Sequence, residues 1–188
     1  MPKLPIFIGA TVAAIALLAA SAAAAQSVTV LGGGTARQCS NAALAGESDR
    51  KFEAMCTLAI ETEILSQRDK AGTYVNRGVM KLRRSEFAPA RADFDKAVEL
   101  KPDLAEAYVN RGAAWVGARR YAEGLADLDK ALELGVDEPE KAYYNRALAH
   151  EGLDEMKQAY FDYQKAVELS PEWEAPRREL ARFTVQRR

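Results

Sequence analysis

The apolar positions of the chain fall into helical faces. Phe52, Met55, Ala59 and Ile60 recur at three- and four-residue steps, the spacing of one side of an α-helix. Further along, the pattern repeats on a longer scale. Tyr74-Val75-Asn76-Arg77-Gly78 returns as Tyr108-Val109-Asn110-Arg111-Gly112 and as Tyr143-Tyr144-Asn145-Arg146-Ala147, at steps of 34 and 35 residues. A second block keeps the same offsets: Asp93-Phe94-Asp95-Lys96-Ala97, Asp127-Leu128-Asp129-Lys130-Ala131 and Asp162-Tyr163-Gln164-Lys165-Ala166. Self-similarity of this period marks stacked units that share a continuous core, an architecture of binding scaffolds rather than of enzymes.

Each unit reads as two helices joined by a turn. The first helices are predicted at about 72–84, 105–118 and 139–152, and the second at about 88–100, 122–134 and 156–169. Pro102 closes the first unit. Asp137 precedes Pro139 as an N-cap, and Ser170 stands in the same relation to Pro171. Upstream, 37–45 and 50–65 form a hairpin of repeat length without the repeat's residues, a divergent cap. Downstream, 172–186 reads as one amphipathic capping helix, with Leu180 and Phe183 spaced to pack on the third unit. A period of 35 residues also equals five heptads. Gly78, Gly112, Gly117, Gly124, Gly135 and Gly152 interrupt any continuous heptad run, however, so a coiled coil is excluded.

The three units resemble tetratricopeptide repeats. The pattern of aromatic and small positions falls on Tyr74, Gly78, Phe87, Ala90, Phe94, Ala97 and Pro102 in the first. It falls on Tyr108, Gly112, Trp115, Tyr121, Gly124, Leu128 and Ala131 in the second, and on Tyr143, Ala147, His150, Met156, Ala159, Tyr163, Ala166 and Pro171 in the third. Val136 replaces the closing proline of the second unit, and Lys81 stands where the first usually has an aromatic. The resemblance implies an all-α, right-handed superhelical solenoid of antiparallel helix pairs. It also implies a concave groove lined by the first helices, here Val75, Asn76 and Val79, then Val109, Asn110 and Ala113, then Lys141, Tyr144, Asn145 and Leu148. An asparagine carboxamide both donates and accepts, so the ladder Asn76–Asn110–Asn145 suits the main chain of an extended peptide of any sequence. Val75 and Val79 stand where the carboxylate clamp of chaperone-binding relatives has Lys and Asn, which argues against an acidic C-terminus as ligand.

The N-terminal region has a different character. Lys3, an apolar run from Leu4 to Ala20, and small residues at Ala23 and Ala25 have the layout of a secretory signal peptide cut after Ala25. The run is short for a membrane span, so no stable insertion is expected after cleavage. An exported protein, periplasmic in a Gram-negative bacterium, is the expectation. Residues 26–34 follow as an extended lead-in with β-branched Val28-Thr29-Val30 and a glycine run. That run lacks the downstream Gly-Lys-Ser/Thr of a phosphate loop. The expected organisation is therefore signal 1–25, lead-in 26–34, capping hairpin 35–70, three repeats over 71–171 (71–104, 105–138 and 139–171), and terminal cap 172–188.

Charge and chemistry narrow the function. The formal net charge is −1, which gives no electrostatic reason to bind nucleic acid. Cys39 and Cys56 are equally far from the turn Gly46-Glu47-Ser48-Asp49, so an oxidising compartment favours a disulfide between them. Two cysteines and one remote histidine do not make a metal site, and no cofactor is expected. His150, the only histidine, sits at a packing position. Arg77, Arg111 and Arg146 recur in register with Asp93, Asp127 and Asp162, which predicts one ion pair per unit, of the weak surface kind. The expected function is a non-enzymatic adaptor that binds a protein or peptide partner in its groove. A self-assembling structural protein without a peptide ligand is the alternative, and the oligomeric state is not specified.

Overall fold

The computed structural model describes residues 6–9, 25–31 and 33–187; most of the proposed signal segment lies outside them. Among the described residues nine helices form an array of antiparallel pairs: α1 Gly34–Leu44 with α2 Arg50–Thr62, α3 Gln67–Arg83 with α4 Phe87–Leu100, α5 Ala105–Gly117 with α6 Tyr121–Glu133, α7 Pro139–Gly152 with α8 Met156–Leu169, and a short α9, Glu174–Leu180. Each pair packs on the next, and apolar clusters succeed one another along the array.

Small residues set the spacing within pairs. A Cβ on Gly78 would lie 2.4 Å from Cε1 of Phe94, and one on Gly112 would lie 2.7 Å from Cγ of Leu128. The aromatic or aliphatic side chain of the second helix thus sits directly on the backbone of the first. The turns inside the three repeats share one geometry: Ser85, Arg119 and Asp154 all adopt left-handed φ, at 60°, 60° and 62°. In the first of them the Ser85 and Glu86 amides donate back to the carbonyls of Leu82 and Lys81, a helix C-terminal motif more often closed by glycine.

Three expectations need correction. α3 starts at Gln67, not near residue 72, because Ser66 caps it: Ser66 Oγ accepts from the Asp69 amide and donates to the Asp69 carboxylate. Asp137 does not cap α7; the N-cap is Glu138, with no side-chain cap bond. The C-terminal helix is half the expected length. Leu180 and Phe183 both pack into the cluster of the third repeat, Phe183 beside Tyr160 and Tyr163, and the chain then runs on into a strand. That strand, β2 Thr184–Arg187, pairs antiparallel with β1 Ile6–Gly9 in the register Ile6↔Arg187 to Gly9↔Thr184. Thr184-Val185 is β-branched and better suited to a strand than to a helix end. Cys39 and Cys56 are joined in a disulfide with Cα atoms 4.9 Å apart, tying α1 to α2.

Candidate functional site

The concave face of the array holds an extended stretch of the chain's own backbone, residues 25–31. Its side chains alternate. Gln26, Val28 and Val30 point inward and are 1%, 7% and 2% exposed, whereas Thr29 and Leu31 face solvent. This is strand periodicity, but the partner is a column of side chains on helices.

Two of the three predicted asparagines make that column. Asn110 Oδ1 accepts from the Gln26 amide at 2.8 Å, and its Nδ2 donates to the Gln26 carbonyl at 2.7 Å. Asn76 does the same to Val28, at 2.8 and 2.7 Å. Each carboxamide therefore imitates one residue of a neighbouring β-strand, supplying the donor and the acceptor that an extended residue needs. The third rung differs. Asn145 is 4% exposed, and among the described residues its Nδ2 has no hydrogen-bond partner.

The ladder has a further rung that the sequence reading missed. Ser40 on α1 stands about one repeat length before Asn76. Its Oγ accepts from the Val30 amide at 3.2 Å and donates to the Val28 carbonyl at 3.0 Å. Asp69 completes that end by accepting from the Leu31 amide at 3.0 Å. At the other end Gln26 Nε2 donates to the Glu138 carbonyl at 2.8 Å. The segment thus runs from the second repeat back to the capping hairpin, opposite to the order of the helix pairs. Space for it comes from Gly72, whose added Cβ would meet Val28 Cγ1 at 3.0 Å and Val30 Cγ2 at 3.1 Å. Extending the repeat period upstream from Asn76 would have pointed to Ser40. Gly72 was visible only as the start of a helix.

The other predicted groove residues divide in two. Val75, Val79 and Val109 are fully buried, Val75 and Val79 in the same apolar cluster as Val28. Tyr144 is buried against Trp173 and Tyr163, with ring centroids at 4.9 and 5.8 Å, and burial pushes its phenol up to about 12. Ala113 and Leu148 are half-buried beside the core, and Lys141 pairs with Glu138 at 2.7 Å. Arg83 donates to the Ala43 and Glu47 carbonyls at 2.9 and 3.1 Å, holding α1 on α3.

The expected Arg–Asp pairs exist, but they are not surface pairs. Asp93, Asp127 and Asp162 are buried, and each accepts both prongs of Arg77, Arg111 or Arg146 at 2.6–3.0 Å. Hydrogen bonds donated to Asp127 and Asp162 hold the Arg111 and Arg146 charges more firmly than usual, outweighing burial. Lys81 adds a second cation to Asp93 at 2.8 Å, which accounts for a lysine at an aromatic position. His150, the equivalent residue of the third repeat, lies 2.6 Å from Glu155 and 3.7 Å from Asp162. Its described contacts are thus with carboxylates, at a position the sequence pattern reads as a packing one.

Residues 140–172 match the model of the tetratricopeptide repeat family. One segment of the chain thus matches a tetratricopeptide repeat, and the fold is that of a tetratricopeptide-repeat solenoid. Solved structures with this fold include MamA, residues 41 to end, from Desulfovibrio magneticus RS-1 (22% identity, TM-score 0.61, covering 79% of this chain and 82% of that one). A second is the first tetratricopeptide domain of Spaghetti (RPAP3) bound to the HSP90 peptide SRMEEVD (24%, TM-score 0.57, 61% and 90%). A third is YrrB, described as a tetratricopeptide-repeat protein with an unusual peptide-binding site (29%, TM-score 0.57, 66% and 62%). No curated protein shows significant sequence similarity to the chain. No described helix is long and apolar enough to cross a membrane.

Proposed function

We propose that this tetratricopeptide-repeat protein is an adaptor of the bacterial cell envelope that binds an extended segment of a partner protein along its concave face. One observation carries the reading: Asn76 and Asn110 each make a two-bond clamp on a single residue of an extended backbone. The clamp reads main chain, so selectivity falls to the inward side chains. Here these meet buried valines and Gly72 rather than cations, which disfavours an acidic C-terminal peptide. The peptide-binding site named for YrrB supports a peptide ligand by similarity. An affinity near micromolar, about −8 kcal/mol, is expected for a short segment.

Export is the compartment that suits the disulfide. Cleavage after Ala25 would leave Gln26 as the first residue, with its nitrogen at Asn110. Because Gln26 is 1% exposed, the cut must precede folding. The intact mass of protein recovered from the periplasm tests this directly.

The binding reading is tested with a photo-crosslinking residue at Leu148, on the concave side, or at exposed Phe161 on α8. A partner captured from Leu148 and lost on Asn76→Leu, Asn110→Leu supports the groove. Capture from Phe161 alone would move the interface elsewhere.

A further inference from the structure

The groove is filled in cis, and this bears on how a partner enters it, given the groove reading above. The bonds that hold 25–31 are almost all to main chain, so another extended segment with β-branched residues at alternate positions could make them equally well. The fit is also imperfect at one end. Among the described residues, Gln26 Oε1, Ser27 Oγ and Asn145 Nδ2 are all buried without a hydrogen-bond partner. Buried polar groups left unpaired weaken a complex. A segment that offered Asn145 an acceptor would therefore gain a bond that the described residues do not make.

The segment is tethered to α1 through a short junction. Gly33 is the N-cap of α1 without a side-chain cap bond, and a Cβ there would meet nothing within 4 Å. Gly34 has φ +62°. The open position in this junction is therefore Gly33, since an added Cβ on Gly34 would lie 2.7 Å from Glu63 Oε1. A tether this short keeps its local concentration on the order of millimolar, enough to occupy the groove even with weak intrinsic affinity.

We propose that residues 25–31 are a built-in competitor, which holds the groove closed until an extended segment of another protein displaces it. That segment has β-branched aliphatic residues where Val28 and Val30 now sit, and it runs from the second repeat toward the capping hairpin. If the tethered segment is bound about 99% of the time, the partner's apparent affinity falls about 100-fold.

The test uses the full chain and a labelled, end-capped peptide Ala-Gln-Ser-Val-Thr-Val-Leu, the sequence of residues 25–31. In the variant Val28→Thr, Val30→Thr the tethered segment keeps its shape but buries two hydroxyl groups, while the groove wall is untouched. Fluorescence anisotropy is expected to show the variant binding the peptide at least about 30-fold more tightly than the parent. Equal binding by both would overturn the competition and leave the groove reading intact. Binding to neither would overturn both. Should the variant fail to fold, the parent decides the matter through amide exchange. Excess peptide must accelerate exchange at Val28 and Val30, and unchanged protection with peptide bound overturns the proposal. Dimerisation of the parent with those amides still protected would do so too, naming a second copy as the source of the segment.

Discussion

Arg111 and Asp127 face each other as a two-pronged pair, Nε to Oδ2 at 2.8 Å and Nη2 to Oδ1 at 2.7 Å, linking α5 to α6. The third nitrogen of the same guanidinium reaches back to Asp95 on α4 at 2.8 Å, and its carbon lies 5.4 Å from the Tyr108 ring centroid. Arg146 repeats the arrangement one unit later with Asp162, Asp129 and Tyr143. Arg77 has no preceding repeat and uses Thr57 instead. Each arginine therefore fastens three helices, within a unit and across the boundary to the one before.

Breaking one such staple should be costly, because a buried carboxylate loses its counter-charge. Arg111→Ala is expected to destabilise the array by about 2–4 kcal/mol; the staple is partly exposed, so the value falls below that of a fully buried pair. Asp95→Ala removes only the outer bond and should cost less than about 1 kcal/mol. Urea titration of the two variants checks the ranking, and equal losses would refute the three-helix staple.

The close approach at Gly78 gives a second prediction. Phe94 is fully buried and its ring cannot retreat from an added methyl group. Gly78→Ala should cost about 1–3 kcal/mol by overpacking, despite alanine's better helix propensity. The third repeat has alanine at the equivalent position, Ala147, opposite Tyr163. Ala147→Gly should accordingly destabilise by about 1 kcal/mol through backbone freedom. Thermal melts of both variants test whether the two units have separate spacings.

Helices were legible wherever the repeat pattern is intact: α7 and α8 lie where the spacing placed them. Legibility failed where a local signal overrode the period. The Ser66–Asp69 capping box adds a turn before Gly72, and Phe183 drops into an aromatic pocket and ends the terminal helix early. The inner turns gave no warning either, since Ser85, Arg119 and Asp154 take a conformation usually marked by glycine. In the groove, the donor and acceptor capacity of the asparagines was readable. What they hold was not, because Val28 and Asn76 are 48 residues apart and nothing local links them. The Arg–Asp pairs were found but undervalued, since sequence shows register and not burial.

The disulfide lies next to the last rung of the ladder. Cys39 precedes Ser40, and the bond to Cys56 fixes the helix that presents the Ser40 hydroxyl to Val28 and Val30. Cys39→Ser, Cys56→Ser should lower stability by about 3 kcal/mol for a loop of this size. Its local effect should appear first at the Val30 amide, whose exchange is expected to quicken before that of Gln26, held two repeats away by Asn110. Simultaneous loss of protection at both amides would show that the capping hairpin and the segment melt as one unit.

Acid should act at the same end of the molecule through Glu63. Its Oε1 accepts from the Thr35 amide at 2.5 Å and its Oε2 from the Ala36 amide at 3.3 Å, capping α1 from the far side of α2. Desolvation opposes the charge, but the two amide bonds prevail and hold the carboxyl below its usual value of 4.5. The unfolded chain therefore takes up the proton first as pH falls. The stability that Glu63 contributes is complete above the ordinary carboxylate value and is lost as pH drops through the lower, folded value. Glu63→Gln cannot titrate, so on going from pH 6 to pH 3 it should lose less stability than the parent. Its Thr35 and Ala36 amides should also exchange at a rate free of the parent's acid step. Denaturant titrations across that range with identical slopes for parent and variant would mean that the cap does not depend on the carboxylate charge.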